Sequence, residues 1–75
     1  MVARAEAVVI KQFPLSKNEY DVLRLVNAGF SNQQIAEKLR ISVGTTKWHL
    51  HQILGKLAVR NRTAAAAKAR GLGLL

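Results

Sequence analysis

No Asp or Glu occurs after Glu37, yet eight positive side chains follow it: Lys38, Arg40, Lys47, Lys56, Arg60, Arg62, Lys68 and Arg70. The first half is balanced, with Arg4, Lys11, Lys17 and Arg24 against Glu6, Glu19, Asp21 and Glu37. The whole formal charge of +8 therefore rests on the second half. A one-sided field suits a polyanion, because each phosphate that is neutralised releases condensed counterions. Cysteine is also absent, which excludes a disulfide framework and a thiolate zinc site and fits a reducing cytoplasm. No apolar run is longer than Ala7–Ile10 or Ala64–Ala67, far short of a membrane span. Residues 1–14 lack a signal-peptide core, since Arg4 and Glu6 interrupt their apolar residues. There is no internal repeat. The four acids form no cleft-like pair, and neither a Ser/His/Asp spacing nor a Gly-rich phosphate loop occurs, which argues against an enzyme.

What remains is a chain of 75 residues with 49% hydrophobic content, enough for one core despite the charge. Residues 1–14, closed by Pro14, read as a linker or tail, and residues 15–75 as the domain. Ser16 and Glu19 are spaced as a capping box, opening a helix to about Ala28 with Gly29 as its left-handed terminator. Its core face carries Val22, Leu23, Leu25 and Val26. Glu19 falls inside that face and needs its cap or a basic partner, for which Arg62 is a candidate. Ser31 and Gln34 form a second capping box, for a helix through Leu39 with Ile35, Ala36 and Leu39 inward. Arg40 and Ile41 make the turn, and Ser42 caps a third helix from Val43 to about Leu57. A fourth, capped by Asn61, runs to about Arg70 and ends at Gly71. Connections this short leave no room for a sheet, so the fold class is all-α, a four-helix bundle.

The third helix separates its faces. With Lys47 at zero on a helical wheel, Val43, Thr46, Leu50, Ile53, Leu54 and Leu57 occupy an arc from roughly 240° to 340°. Lys47, His51, Gly44, Gly55, Trp48, Gln52, Thr45 and Lys56 occupy roughly 0° to 180°. The first arc is a core face. An indole in the middle of the second, a basic polar face, is either a binding residue or a liability. A short helix joined to such a helix by a tight turn is the helix-turn-helix arrangement, whose second helix enters the major groove. Ser31 and Ser42 lie at helix N-termini, where free amides suit phosphate oxygens.

The string Leu15-Ser16…Glu19…Val22-Leu23…Gly29…Ser31-Asn32…Ile35-Ala36…Leu39…Ile41-Ser42…Thr45…Lys47…His49…Ile53…Lys56-Leu57…Val59…Arg62-Thr63…Ala65 resembles the LuxR-type DNA-binding domain of bacterial transcriptional regulators. The segment from Ser42 to His51, with the ending Gly-Leu-Gly-Leu-Leu, most resembles the C-terminal domains of large MalT-like, ATP-binding activators. The resemblance implies a LuxR-type four-helix fold, sequence-specific binding of double-stranded DNA by dimers on two half-sites, contact with RNA polymerase, and a place in the bacterial cytoplasm on the nucleoid. It implies no cofactor. Carried over by position, base contacts fall on Lys47, Trp48 and His51, and phosphate contacts on Thr45, Lys56, Arg60 and Arg62, with the amides of Ser31 and Asn32. His49, near 200° on the border of the two arcs, is a further expected phosphate contact. The alanine-rich fourth helix would carry the dimer contact, through Ala64, Ala66, Ala67 and Arg70, so that Glu at Ala66 or Ala67 leaves the monomer folded.

Four positions depart from the family pattern. Thr46 replaces a buried Val, and its hydroxyl can bond back to the preceding turn. Ala58 replaces the usual Gly after the third helix, where a left-handed residue costs an alanine about 1 kcal/mol. Gly55 lies within the helix, and Arg40 occupies a turn where small residues are commoner. Other readings are weaker. His49 and His51 diverge by about 200°, too far for a metal pair. The basic residues are scattered, unlike a membrane-surface helix, and no aromatic-studded sheet is expected for RNA. The serious alternative is a helix-turn-helix module that binds a protein.

Overall fold

The computed structural model describes residues 15–75; the linker expected over residues 1–14 lies outside the described residues. Four helices follow one another: α1 (Lys17–Asn27), α2 (Asn32–Leu39), α3 (Val43–Leu57) and α4 (Arg62–Gly71). No strand occurs among the described residues, so the all-α expectation holds.

Each helix starts at the cap its sequence offers. Ser16 Oγ accepts from the Glu19 amide at 3.1 Å while Glu19 Oε1 accepts from the Ser16 amide at 2.8 Å, a reciprocal capping box. Ser31 and Gln34 repeat it at 3.2 and 2.9 Å. Ser42 accepts from the Thr45 amide at 2.9 Å, and Asn61 from the Ala64 amide at 2.8 Å.

The four C-termini share one device. A left-handed residue ends each helix, and the next residue's N–H bonds a carbonyl five positions back, the Schellman arrangement. The left-handed residues are Gly29 (φ 93), Arg40 (φ 58), Ala58 (φ 56) and Gly73 (φ 74). The closing bonds run from Phe30 to Leu25, Ile41 to Ala36, Val59 to Leu54 and Leu74 to Ala69, at 2.9 to 3.1 Å. Every closing residue is apolar, and Phe30, Val59 and Leu74 pack on the core. The left-handed terminator of α4 is thus Gly73, whereas Gly71, expected there, is the last helical residue. Arg40 and Ala58, which bracket α3, adopt this conformation without glycine's freedom, at about 1 kcal/mol each.

The core joins Val22, Leu23 and Val26 of α1, Ile35 of α2, Ile53 and Leu57 of α3, and Ala65, Ala66 and Ala69 of α4. Thr46 is fully buried, and its hydroxyl donates to the Ser42 carbonyl at 3.0 Å. That satisfies the one polar atom its inward placement would otherwise strand. Two positions of α3 differ from the wheel. Val43 is 38% exposed, as Gly44 and Thr45 beside it in the first turn are exposed, and burial of α3 begins at Thr46. His49, placed on the border, is instead buried with Thr46 and Ile53 on one side of α3.

Candidate nucleic-acid interface

α2 and α3 meet across the turn at Arg40, whose left-handed backbone reverses the chain within two residues of the Ser42 cap. The exposed side of α3 then carries Thr45, Lys47, Trp48 and His51, all exposed. The three residues expected to read bases therefore share one open face within the first nine residues of the helix. Trp48 is 59% exposed, and its ring meets His49 edge-on at 5.3 Å. Ser42 Oγ donates to Thr45 Oγ1 at 2.9 Å. The Thr45 oxygen is the acceptor there, so its own proton is available to an outside acceptor such as a phosphate. Ser31 and Arg60 are also exposed.

The side chains of Lys56, Arg62 and Asn32 are engaged by the fold. Lys56 Nζ lies 2.6 Å from Glu19 Oε1, joining the last turn of α3 to the first turn of α1. Lys56, and not Arg62, is therefore the basic partner that buried Glu19 requires. Arg62 instead donates to Asn32 Oδ1 at 2.7 Å and to the Phe30 carbonyl at 2.8 Å, latching α4 onto the α1–α2 turn. Its bond also occupies the Asn32 side chain. His49 is 9% exposed, and its Nδ1 has no hydrogen-bond partner among the described residues. Sequence reasoning missed these tertiary roles of Lys56, Asn32 and Arg62. The one signal for them was an acid, Glu19, falling on an apolar arc.

In α4, Ala66 is 6% exposed and belongs to the core, which removes it from the expected dimer face. Ala65 and Ala69 flank it inside, because α4 meets α1 along this side. Ala67 and Arg70 are exposed and Ala64 is half-buried. Arg70 also bonds the Asn27 side chain.

Burial pushes the Glu19 carboxyl up, but the Lys56 ammonium and the Ser16 amide and hydroxyl outweigh it and hold the group below its ordinary value. A lowered folded-state value means that the ionised form stabilises the fold. This contribution is present above the ordinary carboxylate range and is lost as pH falls through the folded-state value. The melting temperature should therefore drop on acidification. Glu19→Gln should cost about 1–2 kcal/mol at neutral pH, a charged hydrogen bond discounted for the partly exposed lysine, and should melt with a flatter acid dependence. Parallel curves for the two proteins would show that the pair contributes nothing.

Among the described residues no cluster of three or more His, Cys, Asp or Glu could hold a metal ion, and no helix is long and apolar enough to cross a membrane.

Comparison with known proteins places this bundle, with its helix-turn-helix and acid-free α3, within a family. The family model GerE, described as "Bacterial regulatory proteins, luxR family", matches residues 13–69. The chain belongs to the luxR family. It is similar to the HTH-type transcriptional regulator AlkS of Alcanivorax borkumensis, with 41% identity over 64 residues, 85% of this chain and 7% of that protein. It is also similar to the transcriptional regulatory protein LnrK of Bacillus subtilis, with 50% identity over 52 residues, 69% of this chain and 24% of that one. Among solved structures, the response regulator ChrA of a heme-sensing two-component system superposes with a TM-score of 0.80 at 47% identity, covering 83% of this chain and 31% of that one. The chain thus spans less than a third of each of these relatives.

Proposed function

We propose that residues 15–75 are the sequence-specific, double-stranded DNA-binding domain of a bacterial transcriptional regulator, with α3 in the major groove. The observation that carries this reading is the α3 face itself: Lys47, Trp48 and His51 stand exposed together, in a half of the chain that has no acid. Thr45, Ser31 and Arg60 supply the exposed phosphate contacts at its edges. The side chains of Asn32, Lys56 and Arg62 act through the fold, by fixing α2, α3 and α4 relative to one another, and the Asn32 amide stays with Ser31 as a phosphate contact. The domain works without catalysis or a cofactor, in the cytoplasm and on the nucleoid.

The finer assignments also belong to this proposal. A MalT-like setting is favoured by AlkS, in which the matched segment is a small part of a long chain. Dimerisation on two half-sites would use the exposed side of α4, with Ala64, Ala67 and Arg70. RNA polymerase is the further partner, and residues 1–14 serve as the linker.

Salt titration tests the central claim. With the few phosphates these contacts reach, about three or four per monomer, the log–log slope of affinity against salt should be near −3. A slope near zero, or failure of duplex DNA to compete, would favour a helix-turn-helix that binds protein.

A further inference from the structure

A recess of about 440 Å³ opens between the C-terminal end of α1 and the start of α4, and no α3 residue lines it. Its apolar lining is Val26 and Ala66 from the core with half-buried Phe30. Two arginines, Arg62 and Arg70, border it together with Asn27 and Thr63, and no acid among the described residues lines it. Neither guanidinium has a carboxylate partner among the described residues; the ion pairs there are Lys17–Asp21 and Lys56–Glu19. Arg62, although half-buried, has only neutral acceptors, Asn32 and the Phe30 carbonyl. Arg70 has, among the described residues, Asn27 as its acceptor. A guanidinium carries five N–H donors, so each keeps donors for a further acceptor. Partly buried charge is ordinarily matched by opposite charge.

We propose that this recess docks an acidic segment of a partner polypeptide, with a carboxylate side chain between Arg62 and Arg70 and an adjacent apolar side chain over Val26, Phe30 and Ala66. Charge complementarity selects this occupant. A second copy meeting this one through Ala64 and Ala67, which lie outside the lining, leaves the recess open, and its α4 has no acid to place there, since the chain has none beyond Glu37. A DNA phosphate would pair with the arginines but leave the apolar lining uncovered. A carboxylate flanked by an apolar side chain matches both parts, and planar Arg–carboxylate pairing gives it geometric selectivity. Because α3 contributes nothing to the lining, the partner can be held while the α3 face is occupied. The inference is independent of DNA binding.

The test uses the 75-residue chain and two blocked tripeptides, acetyl-Leu-Glu-Leu-amide and its Gln counterpart, with inorganic phosphate as a third probe at matched ionic strength. Amide NMR signals of Phe30, Thr63 and Ala66 should shift saturably with the Glu peptide, in the millimolar range expected for so small a ligand. The Gln peptide should bind about tenfold more weakly, as should the Glu peptide to Arg70→Gln, the loss of one charged hydrogen bond. Thr63→Glu, which places a carboxylate at the rim from within, should abolish the response while leaving the melting temperature near that of the parent. Equal binding of the Gln peptide, displacement by phosphate at equal concentration, or undiminished binding to folded Arg70→Gln and Thr63→Glu would each overturn the proposal.

Discussion

Ala66→Glu should unfold the domain. Ala66 is 6% exposed, with buried Ala65 and Ala69 beside it on the α4 face that meets the core. A glutamate there must bury a charge or push α4 away from α1, and either costs about 4 kcal/mol or more. A core in a chain of this length supplies only about 3–5 kcal/mol net. Far-UV circular dichroism should show lost helix or a transition far below that of the parent. Ala67→Glu, one position on and exposed, should melt within about 0.5 kcal/mol of the parent. It is therefore the variant that tests dimerisation: cooperative occupation of a two-half-site operator should be lost while the monomer remains folded. A parental melt for Ala66→Glu would refute the inner face of α4, and retained cooperativity in Ala67→Glu would move the dimer contact elsewhere.

Lys47→Ala should separate reading from attachment. Lys47 is exposed on the open face of α3 beside Trp48 and His51, and among the described residues no ion pair or side-chain hydrogen bond holds it. Its removal should cost roughly 1–3 kcal/mol on the preferred duplex, selected first from randomised sites, and much less on random DNA. Equal losses on both in a folded protein would reassign this lysine to phosphate.

The sequence was most legible where the causes of structure are local. The caps at Ser16, Ser31, Ser42 and Asn61 begin helices one residue later, as their hydrogen bonds to nearby amides require. The left-handed backbone at Ala58 likewise follows from the short reach of a helix end. Less was legible where distant segments decide. A helical wheel orders Val43 and His49 by angle but does not say where along its axis α3 leaves the bundle, so the two exchange expected environments. Four consecutive alanines carry no pattern to mark which side of α4 turns inward. The choice between Lys56 and Arg62 as partner of Glu19 depends on how α3 and α4 cross α1, which no local spacing encodes. The open face of α3 was readable because it needs only one helix, whereas the residues that hold this helix in place were not.

Trp48 is the one tryptophan of the chain, and it stands 59% exposed. The intrinsic fluorescence of this domain therefore arises from its candidate contact surface and not from its interior. Unfolding moves that indole from one aqueous setting to another, so its emission is a poor reporter of the folding transition. Covering α3 withdraws the same ring from water. A single unlabelled optical signal thus reports occupancy of the face almost independently of stability, and the two properties can be measured apart in the same cuvette.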